Sequence, residues 1–321
     1  MLRRTFVGAA AAAAGLVGSA AAQPLKQDVR LYCGFPPGGT ADLLSRLVAD
    51  ALAPVVGQKV IVETKTGASG FIANEAVARS APDGHTILLA GMAAFCVSPV
   101  MPGQKLPIDV DKDLTPIANV AGVYNMLVVS RHAPFRLVPE IIDQAKASPG
   151  KFTYASTGNG TSQHLAGEMF KKLAGVDLVH VPYRGGAPAI QDMVAGNVNM
   201  MFGNMPEFLG QITGGNLIPV AFGAPQASPL FPGLPLISRW LPDFKIVNWF
   251  GLFGPAGLSA DLVQFWNRAL RAALAKDDVQ KRMVESGVES LIGSPTDLKT
   301  AIATDRVKWG DVIKAAGMRA D

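Results

Sequence analysis

The amino-acid sequence predicts an α/β protein built as two lobes with a cleft between them. Three observations carry that expectation. Short apolar strands alternate with amphipathic helices through turns rich in glycine and proline, which number 34 and 23 among 321 residues. The alternation stops and restarts near the middle of the chain. The stretch from Ser259 onward is helical apart from short breaks. The length allows about two domains at roughly 100–200 residues each. A composition 49% hydrophobic and 17% charged excludes intrinsic disorder.

The first unit opens with a strand at 29–33, broken by Phe35-Pro-Pro-Gly-Gly39. Thr40 suits an N-cap, and Leu43, Leu44, Leu47, Val48, Ala51 and Leu52 make one helical face. A strand follows at 59–63, a helix from Gly70 to about Ser80, and a third strand at 86–90 after the turn Pro82-Asp-Gly84. The second unit has strands at 126–130, 152–155, 178–181, 198–202 and 217–221, with helices at 138–147, 161–174 and 187–195. Residues 223–245 read as a long surface loop, and 246–253 as a strand. Helices follow at 259–275, 278–286 and 295–316. Ser294-Pro-Thr-Asp297 announces the last of them with a cap, a proline and an acid in the first turn. Such alternation implies parallel sheets with right-handed crossovers. The terminal helices are expected to pack on the first unit. Lobe 1 is then 23–122 plus 246–321, lobe 2 is 123–245, and the chain crosses near 121–126 and 244–250.

Residues 1–22 read as a cleavable export leader. Arg3 and Arg4 precede an apolar run from Phe6 to Val17, and Ala20-Ala-Ala22 precedes the expected cut. Arg3-Arg-Thr-Phe-Val7 also resembles a twin-arginine signal. The mature chain is therefore expected in the periplasm. Without the two leader arginines, 27 basic residues face 25 acidic ones, with no basic stripe, so nucleic acid is not an expected partner. Cys33 and Cys96 could pair in an oxidising compartment, but the simpler reading is two small buried hydrophobes. His85, His132, His164 and His180 lack metal-ligand spacing, so neither metal nor cofactor is expected.

Two loops carry the candidate ligand site. One holds Phe35, Pro36, Gly38, Gly39 and Thr40; the other holds Ser156, Thr157, Gly158, Asn159, Gly160 and Thr161. Each follows a strand and opens a helix. A helix start presents unpaired N–H groups and about half a positive charge, which suits an anion. The plainer alternative is that both are tight βα turns. Asp42, in a first turn, either complements its helix dipole or recognises an ammonium or hydroxyl. His164 is either structural or a ligand contact. Tyr183, Arg184 and Gly185 precede another helix, where Arg184 either grips a carboxylate or is solvated. Trp249 and Phe250 read as core, or as one wall of the cleft. Enzyme signatures fail. There is no G-x-S-x-G, no phosphate-binding G-x-x-x-x-G-K-[ST] and no H-E-x-x-H, and Gly158-Asn-Gly-Thr-Ser-Gln163 breaks the dinucleotide fingerprint at its last glycine. No nucleophile–base pair is legible, and no catalytic residue is assigned.

An ordered set of segments carries a family resemblance. It comprises Phe35-Pro-Pro-Gly-Gly-Thr-Ala-Asp42, Val62-Glu-Thr-Lys-Thr-Gly-Ala-Ser-Gly70, Ala78-Arg-Ser-Ala-Pro-Asp-Gly84, Ser148-Pro-Gly-Lys151, Gly158-Asn-Gly-Thr-Ser-Gln-His-Leu-Ala-Gly-Glu168 and His180-Val-Pro-Tyr-Arg-Gly185, continued by Trp249 and Gly254-Pro-Ala-Gly257. Across essentially the whole mature chain the sequence resembles the extracytoplasmic substrate-binding receptors of tripartite tricarboxylate transporters, the Bug family. The resemblance implies a periplasmic-binding-protein (Venus-flytrap) fold that captures a small organic acid. Di- and tricarboxylates, acidic amino acids and aromatic acids are the classes it implies. It further implies that backbone groups and bridging water hold the ligand carboxylate in the loops 35–40 and 156–161, and that the partners are membrane transporter subunits. It implies no catalysis, metal or cofactor, and the chain is expected to be a monomer. A ligand-sensing subunit for a signalling partner, or a periplasmic enzyme on the same scaffold, are the alternatives. Two segments depart from the family pattern. Phe231-Pro-Gly-Leu-Pro-Leu-Ile-Ser-Arg-Trp240 lacks the usual Pro-Asp-x-Pro-Thr, and Thr64-Lys-Thr66 replaces Asn-Arg-Pro. The first bears on a docking face of the far lobe, and neither touches the two loops.

Overall fold

A computed structural model describes residues 25–320, so the leader expected at 1–22 lies outside the described residues. The first unit comprises β1 (Val29–Cys33), α1 (Thr40–Val56), β2 (Val60–Thr64), α2 (Phe71–Ala78), β3 (Thr86–Gly91) and the short helices α3 (Met92–Cys96) and α4 (Val110–Asp113). A 17-residue strand, β4 (Leu114–Ser130), leads out of it. The second unit contains α5 (Val138–Ala147), β5 (Thr153–Ser156), α6 (Ser162–Ala174), β6 (Val179–Pro182), α7 (Gly186–Ala195), β7 (Met200–Asn204), α8 (Met205–Thr213) and β8 (Leu217–Phe222). The chain returns along β9 (Val247–Pro255) and finishes with α9 (Ala260–Leu274), α10 (Asp277–Glu285), β10 (Val288–Ser290) and α11 (Pro295–Ala316).

The strands run in the order β2-β1-β3-β9-β4-β7-β5-β6, with β8 and β10 also paired to β4. Within the units the expected parallel pairing holds: β1 lies parallel to β2 and β3, and β5 to β6 and β7. Between them it does not. β4 and β9 run antiparallel to each other, and β3–β9, β4–β7 and β4–β8 are antiparallel too. The crossings are thus long shared strands rather than loops. Residues of β4 up to Tyr124 pair with β9, and those from Asn125 pair with β7 and β8. The register slips beside Pro116 and Asn119 let this strand bend. Those slips, together with Gly122, blur the alternation in the sequence, which is why the strand was expected only from residue 126.

The α1 face forms as expected: Leu44, Leu47, Val48, Ala51 and Leu52 are buried and pack with Trp266 and Leu270 of α9. Thr40 is not the cap, however. Gly39 takes that position and Thr40 is the first helical residue, because its hydroxyl is engaged elsewhere. Ser294 and Asp297 form the capping box that the sequence announces, at 3.1 and 2.7 Å. A second apolar cluster includes Phe253 stacked on Phe95 at 3.9 Å and Phe202 packed among Phe170 and Phe244. The terminal helices cover the first unit as expected: α9 packs on α1 and β4. α11 packs on β4 and α3, and it also reaches α6 of the second unit. Residues 223–245 are less exposed than a surface loop. Ala224, Ile237, Leu241 and Phe244 are buried, and Phe222 bridges to Leu236. Cys33 and Cys96 are free and buried.

Candidate ligand-binding cleft

The first loop leaves β1 at a close backbone approach. A β-carbon on Gly34 would sit 2.6 Å from the Gly70 Cα, so the loop can lie flat on the turn before α2 only with glycine there. Further along, the Gly38 N–H donates to Asp42 Oδ2 (3.1 Å), while Arg46 Nε donates to Asp42 Oδ1 (3.0 Å). Asp42 is therefore folded back on its own loop, and neither it nor Gly38 lines the cavity. The Gly39 cap has extended geometry and no side chain, so α1 begins without a cap of its own. Phe35, Pro36, Gly39 and Thr40 do line the cavity.

The second loop is braced from within. The Thr161 hydroxyl caps α6 by accepting from the His164 N–H and also donates to the Gly158 carbonyl (2.8 Å). The Gly160 N–H donates to His164 Nδ1 (3.1 Å). Ser156 Oγ lies 2.7 Å from His180 Nε2 and accepts from the Gly158 N–H at 3.1 Å. His180 stacks between His164 (4.0 Å) and Tyr154 (4.9 Å). Burial, aided by the neighbouring His164, pushes the His180 imidazole down to about 4 and keeps it neutral at pH 7. Tyr154 Oη donates to Glu168 (2.6 Å), which also pairs with Lys171 (2.9 Å). Only Thr157 and Thr161 of this loop reach the cavity. Ser156, Gly158, Asn159, Gly160 and His164 stand behind it and shape it.

The two loops do face one another. Ser69 Oγ, beside the first, donates to the Asn159 carbonyl (3.3 Å). A β-carbon on Gly185 would lie 3.2 Å from Pro36 Cγ, and the φ of +114° at Gly185 already favours glycine. Tyr183 is turned away, donating to Asp192 Oδ2 (2.6 Å). Arg184 stays exposed at the rim, with Gly185 lining the cavity beside it. The chain does contain a serine–histidine pair that sequence reading missed, since Ser156 and His180 are 24 residues apart. Ser156 is fully buried behind the cavity wall, so the pair braces a loop and cannot meet a substrate.

Several cavity residues were not foreseen. Asn74 of α2 is 1% exposed, and its Nδ2 has no partner among the described residues. An unpaired buried donor costs about 1–3 kcal/mol, which a ligand oxygen would recover. Glu207 of α8 accepts from Thr40 Oγ1 (2.9 Å), from Gln163 Nε2 (3.2 Å) and from Asn204 Nδ2 (3.4 Å). Burial raises its carboxyl above the usual range, and these hydrogen bonds oppose the rise. Helix α8 was itself not expected, although Asn204-Met-Pro-Glu207 has the cap, early proline and first-turn acid of a helix start. Leu89, Ala94 and Pro188 complete a largely apolar wall with Phe250, which the sequence offers as core or as one wall of the cleft. The cavity volume is about 90 Å³. One water needs roughly 10–15 Å³, so the cleft suits a small organic molecule.

Residues 44–318 match the profile of TctC, the tripartite tricarboxylate transporter family receptor. The chain belongs to this family. It is 30% identical to the protein BugT of Bordetella pertussis over 292 residues, 91% of this chain and 90% of that one. It is 32% identical to a protein of the tcbD-tcbE intergenic region of Pseudomonas sp. strain P51, over 87% of this chain and 83% of that one. Among solved structures it superposes on Rpa4515 of R. palustris, determined with adipate, with a TM-score of 0.88 at 30% identity, covering 91% of this chain and 98% of that one. MatC of Rhodopseudomonas palustris with bound malate gives 0.82 at 27% identity, covering 89% and 98%. The two-lobed periplasmic-binding-protein fold is that of these TctC relatives, and the chain is a solute-binding receptor rather than an enzyme.

Proposed function

We propose that this TctC-family receptor captures a small organic carboxylate between its lobes, closes around it, and delivers it to membrane subunits of a tripartite-type transporter. The observation that carries the reading is the Asn74 amide. It is buried against the cavity with a donor that nothing among the described residues satisfies, and Arg184 lines the same cavity. Both favour an oxygen anion. The adipate and malate found with two relatives agree in ligand class. Lobes at 23–122 plus 246–321 and at 123–245 would close by bending β4 and β9 where β4 changes partners, with ligand favouring the closed state. Export by the leader at 1–22 would deliver the chain to the periplasm, where receptors of this family work.

Thermal unfolding against a panel of mono-, di- and tricarboxylates, amino acids and sugars tests the ligand class. An acid at 100 times its Kd is expected to add about 2.7 kcal/mol of stability. Asn74→Leu should remove most of that gain. A midpoint that moves with sugars or cations and with no acid would overturn the reading.

A further inference from the structure

We infer that Glu207 makes the cleft selective for ligands with a single negative charge, so that the ligand is a monocarboxylate with an uncharged far end. The inference rests on the carboxylate reading above and sharpens it. The hydrogen bonds around Glu207 define its state. Gln163 uses its Oε1 to accept from Thr157 Oγ1, so its Nε2 is left to face Glu207. Asn204 uses its Oδ1 to accept from Asn248 Nδ2 (3.0 Å), so its Nδ2 also faces Glu207. Thr40, from the opposite side of the cleft, brings its hydroxyl to 2.9 Å. Two of these three partners can only donate, and this donor-rich shell favours the ionised carboxylate against the burial that raises its pKa. No lysine, arginine or histidine forms an ion pair with it among the described residues.

Glu207 and Arg184 are the charged residues of the cavity lining, and their formal charges cancel. A monocarboxylate can use Arg184 and the Asn74 donor while its body lies against Phe35, Leu89 and Phe250. A dicarboxylate would add a second negative charge in the same small space as Glu207, with no second cation to meet it. A hydroxyl at the far end would instead donate to Glu207.

The test measures Kd for acids matched in carbon skeleton: butanoate with succinate, hexanoate with adipate, benzoate with terephthalate, plus 6-hydroxyhexanoate. The wild type should bind the monocarboxylate of the preferred skeleton at least tenfold more tightly than its dicarboxylate, with the hydroxy acid at least as tight. Glu207→Gln keeps the shape and removes the charge. It should shrink that ratio at least fivefold, chiefly because the dicarboxylate gains. Wild-type protein that binds the dicarboxylate as tightly or more tightly overturns the inference while leaving the carboxylate reading intact. An equal gain for both classes in E207Q overturns it as well, since Glu207 would then only compete for the start of α1. No binding of any acid by either protein refutes the carboxylate reading itself. Should E207Q fail to fold, the wild-type ratio decides alone.

Discussion

The loops 35–40 and 156–161 have the same plan, strand then glycine-rich turn then helix, yet they work in opposite ways. The second is closed on itself: Thr161 caps its helix, His164 holds Gly160, and Ser156 ties Gly158 to a half-buried His180. The first leaves its helix start uncapped, and the partner that arrives there is Glu207 from the other side of the cleft. The difference is that one loop is closed by its own side chains while the other is met from across the cleft. What decides is whether the loop's own side chains consume its N–H groups before a ligand or a facing lobe can.

Four changes would break or sharpen this contrast. The largest effect is expected for Gly34→Ala, whose β-carbon meets backbone at 2.6 Å and cannot be accommodated by a rotamer change. Overpacking of this kind should cost about 3 kcal/mol, read as a lower urea midpoint. Next comes the half-buried His180 brace of the second loop. His180 is held near 4 against an ordinary 6.5, so unfolding takes up a proton between those values. Its contribution to stability is complete above pH 6.5 and is lost as pH falls from 6.5 to 4. His180→Gln should flatten that part of the pH–stability curve; an unchanged slope would show that His180 does not carry it. Thr161→Ala removes the α6 cap and should cost about 1 kcal/mol by thermal or urea unfolding. The smallest effect is expected for Gly39→Ser, which gives the first loop the cap that the second already has. A gain of a few tenths of a kcal/mol, accompanied by weaker binding of acids in calorimetry, would confirm that the first loop trades a cap for a ligand.

Much of this was legible in advance. The strand at 29–33, the helices at 138–147 and 295–316 and the capping box at Ser294 appear at the expected residues, since periodicity and caps are local signals. Both loops were visible as strand–glycine–helix junctions, and Phe35, Gly39, Thr40, Thr157, Thr161 and Arg184 do line the cavity. Which members of each loop face the cavity was not visible. Asp42 and His164 sit in first turns that look equally exposed in one dimension. In the fold, Asp42 turns back to Gly38 and His164 to Gly160.

The sequence alone determined the α/β class, the two units and the family, because hydrophobic period, turn chemistry and ordered motifs depend on neighbours in the chain. Only the tertiary structure decided that β4 and β9 join the units as antiparallel strands, and that Ser156 meets His180. It alone brought Glu207 to Thr40 and left Asn74 Nδ2 without a partner among the described residues. Thr40 and Glu207 are 167 residues apart. Their meeting depends on how the two half-sheets fold toward each other, and no local pattern encodes that distance.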